Sequence, residues 1–228
     1  MVRYVIFDTE TTGLDPLSGD KIIEIGCVEM IDGRLTENFF HTYINPEKHI
    51  PEDVVKITHI TDEKVANSPI FKDIATKLMD FFNKNTEKTD KTILVAHNAS
   101  FDIKFLNHEL KLIDMDNLDR FEVIDTLDLA RKRFPNQKAT LDILCEKFNI
   151  SLEERQKEGH GALTDSKILA KVFLELIKTV NILKKEELDY QPIQKRPEKL
   201  SPRTIYTITQ QEQDEHINFL TKNGIPVF

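Results

Sequence analysis

The chain opens on "YVIFD" at 4–8, an apolar run rich in β-branched residues, and "KIIEIGCVEMI" at 21–31 alternates apolar and polar positions as a strand does. "DGR" follows, whose Asp-Gly pair signals a hairpin turn. "NFFHTYINP" then resumes strand character, so the opening third predicts an antiparallel meander. In "SPIFKDIATKLMDFFNK" the residues Ile70, Ile74, Leu78 and Phe82 recur at helical intervals, with Ser68 placed to cap. "KTILVAHNASFDIKFLNHELKLI" predicts a short strand at 92–96, a polar turn, and a helix on which Phe101, Phe105 and Leu112 share a face. "FEVIDTLDLARKRF" repeats that strand-to-helix step with Asp125 at the junction, and "TLDILCEKFNI" and "ALTDSKILAKVFLELIKTV" add two helical segments. Strands that alternate with helices after a meander predict an α/β fold, a mixed sheet with helices on its faces.

Past about Val180 the texture changes. "LKKEELDYQPIQKRPEKLSPR" spaces Pro192, Pro197 and Pro202 through dense charge with little to bury, the composition of a linker. "TIYTITQQEQDEHINFLTKNGIPVF" recovers apolar character, with a β-like run, a helical pattern starting near Thr209 and a stop at Gly224. The expected organisation is a domain over 1–180, a charged, Pro-containing linker over 181–203 and a tail segment over 204–228.

With 39% hydrophobic and 31% charged residues among 228, this is the composition of a globular protein with a sizeable core. No apolar run reaches the roughly 20 residues needed to span a bilayer, and the N-terminus runs into a strand pattern, so no membrane and a cytoplasmic location are expected. Cys27 and Cys145 lie in apolar runs and read as small buried hydrophobes. The net charge of −8 argues against a broad basic grip on nucleic acid. It leaves open an acidic site that attracts phosphates once divalent cations fill it.

Carboxylates recur at the junctions. In a strand, residues i and i+2 share a face, so Asp8 and Glu10 of "FDTE" project together at a strand's C-terminal end, where α/β folds place their sites. By itself such a pair is more often a solvated strand end. "HNASFD", however, puts Asp102 just after a second strand, and "GHGALTD" puts His160 and Asp165 at the entrance to a late helix. Five positions separate His160 from Asp165, too many for one helical face, and flanking glycines place the histidine on a loop leading into the helix. A lone His-Gly loop is usually just a loop, but four acids and one histidine at such junctions form a set. Brought together without compensation, the acids would repel one another and raise each other's pKa. One or two divalent cations held by oxygen ligands would resolve this, and two metals about 3.5–4 Å apart can stabilise the attacking and leaving oxygens of phosphodiester hydrolysis. A neighbouring histidine suits a general base for the attacking water. Cysteine is missing from the set and no histidines pair at close spacing, which disfavours structural zinc.

At these residues the chain resembles a known family. "FDTETTGLDP", "HNASFD" and "HGALTD" look like the three motifs of the DEDDh (DnaQ-like) 3′–5′ exonucleases, over roughly residues 2–178. The resemblance implies a ribonuclease H-like fold with a C-terminal extension. It puts the family's four carboxylates on Asp8, Glu10, Asp102 and Asp165, holding two Mg²⁺ or Mn²⁺ ions, and its catalytic histidine on His160. It also implies that His97 and Asn98 orient the site, that His59 of "ITHIT" lies near the substrate, and that Thr11 and Leu14 meet the terminal nucleotide. Phe101 is a candidate to stack on a base, with a core role beside Phe105 as the alternative. Asp125 of "IDTL" is expected to be structural, in support of the site.

Within that class "YINPE", "ITHIT", "FDIKFLNHEL" and "IDTLDLARKRFP" have the character of the epsilon, or proofreading, subunits of bacterial DNA polymerase III. This implies removal of mispaired 3′ nucleotides from single-stranded or frayed DNA ends as nucleoside 5′-monophosphates, and attachment to the polymerase III alpha subunit through 204–228. The alternative for the tail is an extra helix of the same domain. "QPIQKRPEK" holds no convincing sliding-clamp peptide, so a direct clamp contact is not expected. Two other functions remain open: an RNA-processing exoribonuclease of the same fold, and a mainly structural polymerase subunit.

Overall fold

Five strands form the sheet that the apolar runs predict: β1 (Val2–Thr11), β2 (Ile22–Ile31), β3 (Arg34–Tyr43), β4 (Lys91–Ala96) and β5 (Glu122–Asp125), in the order β3-β2-β1-β4-β5. The structure is a computed structural model that describes residues 2–84, 91–153, 155 and 159–183. The expected linker from residue 184 onward and the tail at 204–228, with its helical pattern at Thr209 and its Gly224 stop, lie outside them. β1 pairs antiparallel with β2, and β2 with β3, which is the predicted meander; β1–β4 and β4–β5 are parallel. Asp32 and Gly33 both take positive φ (49° and 77°), the geometry that a tight hairpin matching strand twist requires.

Helices cover both faces, and the mixed α/β expectation holds. Alternation sends Val5, Phe7 and Cys27 to one face, where with Leu94 they pack against α3 (Phe71–Asn83) and α4 (Ala99–Leu112). It sends Ile6, Val28, Met30 and Val95 to the other, against Leu169, Ala170 and Phe173 of the long helix that begins at Ala162. Between β3 and α3 lie the short α1 (Glu52–Thr58) and α2 (Asp62–Val65); α5 (Thr126–Arg133) follows β5, then α6 (Leu141–Phe148) and α7 (Ala162–Leu183). Cys27 and Cys145 are buried and free, as expected.

Two local expectations need correction. Ser68 does not cap α3: Ile70 holds the cap position with no side-chain bond, and the Ser68 N–H donates to Val65 O at 2.9 Å. Phe101, Phe105 and Leu112 do share a side of α4, but that side is not the buried one, since Leu112 is 57% exposed. At about 100° per residue the buried stripe of α4 centres on Asp102, Leu106 and Glu109, leaving Phe101 and Leu112 at its margin. Apolar spacing misplaced the stripe because its centre carries two acids.

Candidate active site

Parallel pairing of β1 with β4 brings their C-terminal ends side by side. Asp8 and Glu10 stand near the end of β1, and α4 begins just beyond β4. Asp102, in the first turn of α4, is 3% exposed, and its Oδ1 accepts from Thr9 N at 3.1 Å and Thr9 Oγ1 at 2.7 Å. The turn before α4 is clamped from β5. Asp125 accepts from the backbone N–H groups of Asn98 (3.0 Å), Ala99 (3.1 Å) and Leu127 (2.9 Å), which holds Asn98 in its left-handed conformation (φ 63°).

The third group arrives on α7. Its first turn lies directly on Gly26 of β2, the residue paired with Asp8, so closely that a Cβ at Gly26 would overlap Leu163 N and Ala162 C. Ser166 Oγ donates to Gly26 O at 2.8 Å, and the Ala162 N–H to Glu24 Oε2 at 3.1 Å. Glu24, 2% exposed and paired in register with Glu10, also meets His41 Nε2 at 2.7 Å. These contacts fix Asp165, 4% exposed, beside Glu10, with His160 on the loop before the helix.

Asp8, Glu10, Asp102, His160 and Asp165 thus line one cleft of about 670 Å³, together with His97, Asn98 and Phe101. Arg131, Lys138 and Arg155 add positive charge to its walls. Phe101 lines the cleft and packs on Phe105 with ring centroids 5.0 Å apart. His97 Nδ1 and Thr126 Oγ1 are 2.9 Å apart. The remaining three candidates are not among the cleft residues. Thr11 Oγ1 donates to Gly13 O at 2.6 Å, Leu14 is 82% exposed, and the exposed His59 lies against Gly159, where a Cβ would come within 2.7 Å of its Nδ1.

Burial and mutual repulsion raise the acids' pKa values. Asp8 is held well above the usual carboxylate range by burial and then by Asp102, Glu10 and Asp165. Glu10 is pushed up to about 8 by burial, Asp165 and Glu24, Asp102 to about 7 by burial, and Asp165 to about 6 by burial against the pull of Arg155. Burial and the Arg155 charge hold the His160 imidazole below its ordinary value.

Such a cluster is stable as anions only beside a cation, and its donor set suits one. Glu10, His160 and Asp165 each offer a ligand atom, all within 4.8 Å of one another. Asp165 Oδ1 is buried without an aligned hydrogen bond, although Arg155 Nε lies 2.9 Å away. Oxygen-rich donors of this kind fit a hard divalent cation.

The model of the family described as Exonuclease matches residues 5–173. The chain belongs to this exonuclease family. The exonuclease fold is matched by the solved structure of Exonuclease X in complex with 5′ overhanging duplex DNA (TM-score 0.59, 27% identity, 79% of this chain and 93% of that one). A protein of Rickettsia felis named DNA polymerase III subunit epsilon is 44% identical over 178 residues, 77% of this chain and 74% of that protein. A Buchnera aphidicola (subsp. Baizongia pistaciae) protein of the same name is 36% identical over 233 residues, 96% of this chain and 91% of that protein. The resemblance read from the motifs is borne out, and the exonuclease is a 3′–5′ phosphodiester hydrolase of ribonuclease H-like fold. Among the described residues no helix is long and apolar enough to cross a membrane.

Thr9, Glu24, Gly26, Arg131, Lys138 and Arg155 were absent from the sequence-derived site. Gly26 carried a signal, because an isolated glycine inside an apolar strand marks a close backbone approach. The others join the site only through contacts between distant segments.

Proposed function

We propose that this exonuclease proofreads for a bacterial replicative DNA polymerase, removing mispaired 3′ nucleotides from DNA as nucleoside 5′-monophosphates. The observation that carries the proposal is the convergence of Asp8, Glu10, Asp102, Asp165 and His160 in one cleft, in a chain whose relatives are named for a polymerase subunit.

Asp8, Glu10, Asp102 and Asp165 would hold two Mg²⁺ or Mn²⁺ ions. When bound, the cations supply Lewis acidity at the scissile phosphate and lower the pKa of a coordinated water. His160, neutral at physiological pH, takes the proton from the attacking water. Arg131 and Lys138 offer charge to the phosphodiester backbone of the strand in the cleft. Phe101 stacks on the terminal base, while His97, Asn98 and Asp125 keep the β4–α4 turn in shape. In this proposal Thr11 and Leu14 meet the terminal nucleotide and His59 lies near the substrate. A mispaired end frays at lower cost, so delivery of a single strand to the cleft favours errors.

The match over 96% of the chain to a polymerase III epsilon subunit extends beyond the described residues and supports a partner-binding tail. In this proposal 204–228 binds the polymerase alpha subunit, 181–203 links it to the nuclease domain at 1–180, and the chain works in the cytoplasm without a direct clamp contact. Relatives named for DNA polymerase III favour DNA over RNA as substrate.

Excision from labelled primers with matched DNA, mismatched DNA or RNA 3′ ends, with Mg²⁺ and with chelator, tests this. Metal-dependent stepwise loss from DNA, faster at the mismatch, is the expected result. Preference for RNA would overturn the proofreading role.

A further inference from the structure

Arg155 stands where the site needs positive charge. Its side chain is 11% exposed; Nε lies 2.9 Å from Asp165 Oδ1, and Nη2 donates to His160 Nδ1 at 2.7 Å. Nη1 reaches outward to Asp142, a half-exposed residue in the first turn of α6. One guanidinium therefore spans an anchor inside the cleft and one at its edge.

Two features make this arrangement incompatible with a working site. Mg²⁺ binds carboxylate oxygens at about 2.0–2.1 Å, so a cation on Asp165 and Arg155 in its observed position would be like charges only a few ångströms apart in a sheltered pocket. Accepting from Arg155 at Nδ1 also puts the proton of neutral His160 on Nε2, leaving neither ring nitrogen with a free lone pair for water. The contact with Asp165 is close but poorly aligned, since both Arg155 Nε and Asp165 Oδ1 are buried without a hydrogen bond of good geometry.

We propose that Arg155 is a stand-in cation, which neutralises Asp165 and occupies His160 while the site holds no metal, and which withdraws toward Asp142 when a divalent cation binds. The inference rests on the metal-dependent reading of the cleft. It assigns Arg155 a role opposite to that of a ligand or phosphate clamp: it weakens metal binding and keeps the base idle until metal arrives.

The test is direct Mn²⁺ titration of the full chain without DNA, following free Mn²⁺ by electron paramagnetic resonance. Arg155→Gln is expected to bind Mn²⁺ about tenfold more tightly than the unaltered chain, because a unit charge near the ligands is removed. Equal or weaker binding by a folded Arg155→Gln would overturn the proposal. A second measurement needs no variant: the assigned Arg155 Nε–H resonance should shift on Mg²⁺ saturation, and a resonance that stays in place would overturn it as well. If the unaltered chain binds no Mn²⁺ and matches an Asp8→Asn, Glu10→Gln control, the metal-dependent reading fails, and the proposal with it.

Discussion

Thr9 and Asp102, 93 positions apart, are joined twice: the backbone N–H and the hydroxyl of Thr9 both donate to Asp102 Oδ1. The residue between Asp8 and Glu10, pointing to the opposite face of β1, therefore aims a carboxylate supplied by α4. Thr9→Val keeps the shape and the backbone bond but loses the hydroxyl donor. The expected result is about a tenfold fall in single-turnover cleavage at unchanged fold, with Thr9→Ser close to normal. Full activity in Thr9→Val would show that the backbone bond alone orients Asp102.

Asp8 sits among three other acids with its charged form penalised by burial. Asp8→Asn should reduce cleavage by about a thousandfold, since it removes a metal-holding oxygen. It should also raise the thermal midpoint in chelator at pH 8, because a penalised buried charge is gone. A lower midpoint would mean that the repulsion is already relieved within the protein.

The acids also set how metal-free stability responds to pH. Glu10 titrates near 8 against an ordinary 4.5, and Asp102 and Asp165 near 7 and 6 against 3.8. Between those values the folded chain retains protons that the unfolded chain has released. Their stabilising contribution is complete below about pH 4 and is lost as pH rises through 6 to 8. His160, with its pKa lowered, works the other way, but only below its ordinary value of 6.5. Urea unfolding in chelator should accordingly give a stability that falls from pH 6.5 to 8.5, and a rise across that window would contradict the raised values.

Burial holds the His160 imidazole below its ordinary 6.5, so the acidic limb of catalysis is expected below that value. The rate of the chemical step should rise with pH through that limb and then level. A His160→Asn protein should lose most of the rate; an unchanged pH profile in its residual activity would remove His160 from the role of base.

Gly26 is where α7 rests on the sheet, and Gly26→Ala inserts a methyl group into Leu163 N. We expect a loss of about 3 kcal/mol in stability, as for an overpacked core position, together with a fall in activity as Asp165 moves away from Asp8. Denaturant unfolding beside a cleavage assay would show both, and a neutral substitution would mean that α7 can shift without cost to the site.

Periodicity by itself determined the strands and the helices from α3 onward, because side-chain alternation and helical spacing are local properties of the chain, whereas α1 and α2 are too short to show a period. The Asp-Gly hairpin and the strand-end and helix-start positions of Asp8, Glu10, Asp102, His160 and Asp165 are legible for the same reason. Ser68 and Leu112 show where local rules stop, since cap choice and stripe orientation answer to packing. Only the tertiary structure decided what meets across the sheet: Thr9 on Asp102, Glu24 on the start of α7, Gly26 under its first turn, and Arg155 over Asp165 and His160. Those partners lie far apart in the chain, and strand order and helix docking bring them together. The electrostatics follow from the same cause, because burial and charge proximity, which raise Glu10 to about 8, exist only once the segments have met.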